Sequence, residues 1–483
     1  MQCTLGTLIR AITGSEISKQ VAREIQCLES KVRQLLVDFT QSNVSAGTVF
    51  ELESQLEHLV RQFGLRIVQW IFGTLEPKLR EMPKTIEYSG ISFRRISDKT
   101  TRKDILTRFG KVELTRARYR QGRDGETIFP IEMLLGIERG FTPAAADMAG
   151  KLFASTGSSQ ARTIEAISER TGVTIGVEKL RGLVDRLSSS LEPYREQAQV
   201  EQLGRLLENA RETKKKPVLS ISRDAVSLGI APWGYFEMAS VACMSVMEKG
   251  KRLGTVYLAR SPEENQATLS QQLNSLLTAT LRSCGKTLPD VVYVTDAGKV
   301  ETAYWENHLR RLTVEGRRIG VTRVVDYYHA AQRLTVIADA LKFGTTDQRQ
   351  KWLKHVRSLM LEPKGHGRML RSVSEKKKQL GLRSSMIGDA DKAEKYLRRY
   401  SDYMNYADLK SKGFPIGSGV VESACKQVVT ERMKLAGMRW SREGGQKTMT
   451  LRCLLLSKIW NVVYHKWLSS KPAVSDFTNL QAA

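Results

Sequence analysis

PDVVYVTDAG, residues 289–298, opens after a proline, runs through valines and a tyrosine, and stops at an aspartate followed by two small residues. That pattern predicts a buried strand with Asp296 at its C-terminal end. Upstream, VLSISRDAVSLG (218–229), FEMASVACMSVM (236–247) and RLGTVYLAR (252–260) read as three more strands. The last two are joined by EKGK, which supplies a turn glycine. ENQATLSQQLNSLLTATLRSCG (264–285) reads as an amphipathic helix ending at glycine. Downstream, AYWENHLRRL (303–312) reads as a helix and RIGVTRVVDYYHA (318–330) as another apolar strand. The order β-β-β-α-β-α-β predicts a mixed sheet with helices, an α/β (mixed α+β) core. The basic stretch RETKKKP (211–217) marks where this core begins.

Two aspartates stand at notable places in that order. Asp224 falls on or just past the first strand, and Asp296 at the end of the fourth. An aspartate at a strand end is ordinarily a turn residue or helix cap. If the first and fourth strands are neighbours, however, both carboxylates emerge side by side. Adjacent anions are unfavourable unless a cation lies between them, and Mg²⁺ is the natural guest. A third acid comes much later, in GFPIGSGVVESACKQVVTERMKLAGMRW (413–440). A Gly-rich turn, Ser418 as N-cap and a helix ending near Gly437 are expected there. Glu422 lies in its first turn, where the helix dipole favours a carboxylate; a plain helix-start glutamate is the alternative. Lys426 sits one turn along on the same face, and Arg432, Lys434, Arg439 and Arg442 follow. An acid at the head of a basic helix suits a metal site opening onto a DNA phosphate track.

Charge points the same way. The 483 residues hold 76 Lys/Arg against 51 Asp/Glu, a net +25 spread along the chain. Such an excess disfavours a compact fold unless a polyanion lies against it. Nucleic acid is the default partner, a merely basic surface the alternative. Hydrophobic content of 41% argues against wholesale disorder, and the low aromatic content of 7% against a sugar-binding cleft. The six cysteines (Cys3, Cys27, Cys243, Cys284, Cys425, Cys453) lie far apart, which speaks against a structural zinc site. No apolar run approaches the ~18 residues of a membrane span, and no signal peptide is evident. A soluble, cytoplasmic protein is expected.

The N-terminal half reads in three parts. Residues 1–80 are helical: Ile17, Val21, Ile25, Leu28, Val32 and Leu35 form one apolar stripe, and Leu52, Leu56, Leu59, Phe63 and Ile67 a second. This is either a hairpin packed on its own domain or a self-association surface. Residues 81–135 form a small β element rich in arginine. Residues 136–210 are helix-turn-helix-like, with Ile164 and Ile167 inward, a turn at Gly172, and then Val177, Leu180 and Leu183.

Three blocks together carry a family resemblance: YVTDAG around Asp296, VVDYYHAAQRL with Asp326 and His329 in Asp-x-x-His spacing, and PIGSGVVESACK with RMKLAGMRWS around Glu422. With them the chain resembles a DDE transposase of the Kra-type group of bacterial insertion sequences, which is similar to the Mutator-like superfamily. The first aspartate departs from the family pattern, being followed by Ala225 where glycine is expected. The resemblance implies a ribonuclease-H-like core over 211–330 and 416–470, interrupted by an all-α insertion over 331–415. That insertion holds 19 Lys/Arg and 9 Asp/Glu. It also implies Asp224, Asp296 and Glu422 as catalytic ligands of two Mg²⁺ ions, replaceable by Mn²⁺, with Asp326 and His329 lining the site. His329 is equally readable as a packed core histidine. The implied activity is cleavage and strand transfer of double-stranded DNA at inverted repeats, by a homodimer or higher oligomer associated with the nucleoid. The rival readings are a DNA-binding regulator without turnover and a nuclease without joining activity.

Overall fold

The computed structural model describes residues 8–211, 216–232, 234–285 and 287–479; Cys3 lies outside them. The chain is a mixed helix and strand protein that divides into two compact units, Met1–Leu191 with Tyr464–Ala483, and Glu192–Val463. The regions read as 1–80 and 81–135 fall in the first unit, and the region read as 136–210 does so up to Leu191. Among the described residues, no helix is long and apolar enough to cross a membrane.

The first unit begins with α1 (Gly14–Gln41) and α2 (Ala46–Leu75). Each starts with a capping box, Thr13 with Glu16 and Ser45 with Thr48, which satisfies N–H groups that the first turn leaves open. The strands β1 (Thr85–Tyr88), β2 (Ile91–Arg95), β5 (Tyr119–Arg120) and β6 (Thr127–Ile128) form a sheet with Phe477–Asn479. A separate hairpin joins β3 (Thr101–Thr107) to β4 (Gly110–Arg116). Two of the arginines of this element turn inward. Arg95 donates to the carbonyls of Leu79 and Met82 at 2.7 and 3.0 Å, and Arg116 pairs with Glu132 while stacking on Phe129.

Four helices follow: α3 (Pro130–Leu134), α4 (Pro143–Ala154), α5 (Gln160–Thr171) and α6 (Val177–Leu191). Gly172 ends α5 at φ 71°, the left-handed conformation that glycine adopts without strain. Ile167, Leu180 and Leu183 are fully buried, whereas Val177 is exposed and Ile164 half-buried.

The second unit opens with α7 (Arg195–Arg211), which the sequence had grouped with the preceding helices. Then come β7 (Val218–Gly229), β8 (Phe236–Glu248), β9 (Lys251–Arg260), α8 (Ala267–Ser283), β10 (Asp290–Thr295) and α9 (Lys299–Tyr304). A two-strand hairpin, β11 (Thr313–Val314) with β12 (Arg317–Arg318), precedes β13 (Val321–Val325). The sheet order is β13-β10-β7-β8-β9, with β7, β10 and β13 mutually parallel and β8 antiparallel to both its neighbours. Because β7 and β10 are central and covered on both faces, β10 and the first half of β7 are almost continuously buried, while Asp224–Ser227 are half-buried.

Beyond β13 the chain is helical: α10 (Tyr327–Ala340), α11 (Thr346–Leu359), α12 (Gly365–Leu380), α13 (Ile387–Arg399) and α14 (Tyr406–Ser411). One apolar cluster joins Val292, Val294 and Val324 of the sheet to Leu334, Trp352, Met369 and Leu397 of these helices. After α14 come α15 (Gly419–Ala424), a π-helical turn over Cys425–Thr430, α16 (Glu431–Met433) and α17 (Arg442–Leu456). The helix expected from Ser418 to near Gly437 is thus one continuous helical run, Gly419 to Met433, with a π-turn inside it and an earlier end. The π-turn loosens the backbone hydrogen-bond ladder, and the buried Arg452 of α17 donates to the carbonyls of Gln427 and Val428 there.

Candidate active site

The register of the central sheet brings the aspartates together. On β10, Asp290 pairs with Val218 and Val294 with Ser222, so continuing the pairing sets Asp296 level with Asp224. The condition posed by the sequence, adjacency of the first and fourth strands, is met. Asp224 lies within β7, where its carboxylate accepts the Ala225 N–H at 2.7 Å. Asp296 lies one residue past β10 and accepts the Gly298 N–H at 2.9 Å. A turn with Ala297 at φ 62° separates them from α9.

That turn is held from the helical segment beyond β13. The Tyr396 hydroxyl of α13 donates to the Asp296 carbonyl at 2.7 Å, and the Tyr400 hydroxyl to the Ala297 carbonyl at 3.3 Å. Gly298 packs closely against two carboxylates. A Cβ there would lie 2.5 Å from Oε2 of Glu301 and 3.2 Å from Oδ1 of Asp296.

The third carboxylate arrives from α15. Burial first, then the negative charges of Asp296 and Glu422, raise the pKa of Asp224 above the usual aspartate value. The Ala225 N–H and His329 oppose them. Glu422 and His329 thus both act electrostatically on Asp224. His329 Nε2 lies 3.8 Å from Glu422 Oε1, and both side chains retain access to solvent. Asp326, His329 and Glu422 offer ligand atoms within 4.8 Å of one another.

Asp326, however, is fully buried and already occupied. One oxygen accepts the N–H groups of Tyr328 and His329 at 2.5 and 3.2 Å, which caps α10. The other accepts both the N–H and the hydroxyl of Ser418. Four donors on two oxygens make Asp326 a positioning residue. Ser418 stands at the N-cap position of α15 but makes no capping bond there. Its hydroxyl lies between Asp326 and Glu422, 3.2 Å from Glu422 Oε1.

Two groups near the triad carried no signal in the sequence reading. The Cys425 thiol points at Asp224 Oδ2 across 3.8 Å, and burial pushes its pKa up, so it stays a neutral donor. The three-residue step from Glu422 to Cys425 puts both on one helix face, which could have flagged it. Glu301 is buried beside the aspartates. Burial first, then Asp296 and Asp224, raise its pKa against the opposing charge of Arg223.

The basic residues after Glu422 divide. Lys426, Lys434, Arg439 and Arg442 are exposed, Lys434 reaching Ser227 Oγ at 3.3 Å and Arg442 pairing with Glu237 at 2.7 Å. Arg432 is not available to DNA as the sequence suggested. It is fully buried, its guanidinium 5.4 Å from the Trp440 ring centre, and burial lowers its pKa to about 10. Trp440 is itself anchored, donating to the Met433 carbonyl at 2.9 Å.

An all-carboxylate set such as Asp224, Asp296 and Glu422 has the chemistry that hard divalent cations prefer, although the group with ligand atoms within 4.8 Å of one another among the described residues is Asp326, His329 and Glu422, without the two aspartates of the sheet. Comparison with protein-family models and with curated proteins finds no match for this chain.

Proposed function

We propose that the chain is a metal-dependent DNA phosphoryl-transfer enzyme, a transposase acting at the ends of an insertion sequence. One observation carries the reading: two aspartates level on adjacent parallel strands, with a helix-borne glutamate near enough to raise the first. The strand order β13-β10-β7-β8-β9, with an antiparallel second strand, supports a ribonuclease-H-like core. The five helices α10–α14 between β13 and α15 support an all-α insertion.

In this reading Asp224, Asp296 and Glu422 hold Mg²⁺, or Mn²⁺ in its place. Bound there, two such ions would neutralise the scissile phosphate and the attacking and leaving oxygens. The protein's own residues then have positioning tasks. Tyr396 and Tyr400 fix the turn that carries Asp296. Asp326 and Ser418 fix the start of α15 and so the reach of Glu422. Lys426, Lys434, Arg439 and Arg442 offer exposed cations to the DNA backbone. Helices α5 and α6 are the candidates for reading the inverted repeats, and synapsis of two ends calls for at least two copies.

Metal binding tests the core of this proposal. Mn²⁺ added to the wild-type chain should give a bound-ion resonance signal that Asp224→Asn and Asp296→Asn each weaken at least tenfold. Equal binding by wild type and variants would remove the basis of the reading.

A further inference from the structure

The helical hairpin α1–α2 buries little of what it displays. Among its described side chains only Leu35 of α1 is fully buried, and none of α2. Ile25 and Leu36 are each 48% exposed, Leu56 42% and Val60 53%. An exposed apolar side chain alone means nothing. The arrangement of these does.

At ~100° per residue, Val21, Ile25, Val32, Leu36 and Phe39 form one row on α1. Val49, Leu56, Val60, Phe63 and Ile67 form one row on α2. The helices meet on an adjoining side, Glu24, Leu28 and Lys31 against Leu59, Phe63 and Arg66, with Phe63 at the edge of the row and of the contact. In each helix the apolar row is turned roughly 75° in the same sense from that meeting side. In an antiparallel pair this sets both rows on one broad face. The rest of the unit uses the opposite side of α2, where Leu65, Val68 and Phe72 pack on the β3–β4 hairpin core.

We propose that this face is a homodimer interface, in which two hairpins pack as a four-helix bundle. Three observations select a second copy of this chain as the occupant. First, the charge is wrong for DNA. Residues 14–75 hold six Lys/Arg and seven Asp/Glu, so the hairpin shares none of the chain's +25. Two strongly basic chains meet with least repulsion through such a neutral element. Second, the face is self-complementary, since two parallel apolar rows on one hairpin match the same rows on another across a two-fold axis. Third, the area suffices. A helix pair ~42 Å long with axes 8–10 Å apart offers on the order of 800 Å² per copy, which is what a stable interface buries.

The inference is independent of the carboxylate chemistry, although it would supply the second copy that the proposed function requires. The test is the molar mass of the full chain by light scattering, without DNA or metal, across micromolar concentrations. Twice the chain mass is expected for wild type, and a single chain mass for Leu56→Glu/Val60→Glu with unchanged helical circular dichroism. Should that variant lose helicity, the milder Ile25→Ser/Val60→Ser is expected to raise the dimer dissociation constant at least tenfold. A monomeric wild type, or a dimer unaffected by the milder variant, would overturn the proposal. Neither result would touch the metal site, just as a failure to bind metal would leave the dimer standing.

Discussion

Asp326 and Ser418 lie 92 residues apart in the chain and share two hydrogen bonds, both into one carboxylate oxygen. This pairing ties the end of β13 to the start of α15, across the whole helical segment between them. Removing the Ser418 hydroxyl should cost about 1–2 kcal/mol. Asp326→Asn should cost more, since an amide nitrogen would confront N–H or O–H donors on one side. Urea unfolding of Ser418→Ala and Asp326→Asn gives the order directly. If Asp326→Asn keeps wild-type stability yet loses metal affinity, Asp326 is a ligand and the positioning role is wrong.

A Cβ at Gly298 would press on the carboxylates of Glu301 and Asp296. Gly298→Ala should displace one of these carboxylates by a few tenths of an ångström or more. The expected result is a metal affinity at least tenfold weaker with a loss of stability near 1–2 kcal/mol. Calorimetric titration with Mn²⁺ beside thermal unfolding separates the two effects. Unchanged affinity would mean that the turn after β10 does not set the position of Asp296.

Glu76, in the first unit, gives a pH signature of its own. Burial lifts its pKa to about 7, while the Ala117 N–H, 2.6 Å away, pulls it down. The folded state therefore holds this proton more tightly than the unfolded chain, whose value is near 4.5. Stability from this group is fully present below that value and declines as pH rises towards 7. Glu76→Gln should remove that slope and stabilise the unit at pH 8, by on the order of 2 kcal/mol. Unfolding free energies of both proteins between pH 5 and 8 check this. Parallel profiles would show that Glu76 is not the source.

The strands of the second unit were legible because β-branched runs between turn residues have few other readings. The expected bounds 218–229 are those of β7, and β10 ends one residue before Asp296. The strand expected over 318–330 is shorter, because Asp326 caps α10 and turns the chain into a helix. What the sequence could not convey was direction. The arginine row after Glu422 looks uniform in one dimension, yet the π-turn rotates Arg432 into the core and leaves Lys434 outside. Ser418 was read as a cap because serine at a helix start usually is one. Its partner across 92 residues has no local signature.

The most direct test of the central claim is strand transfer with and without the third carboxylate. The chain would be incubated with Mg²⁺, a labelled duplex carrying the element's ends and a supercoiled plasmid, and Glu422→Gln would run in parallel. The account predicts labelled ends joined to the plasmid by wild type, and a loss of at least a hundredfold in the variant, whose fold is kept because Glu422 is exposed. DNA binding with neither cleavage nor joining by wild type, in Mg²⁺ or Mn²⁺, would contradict it.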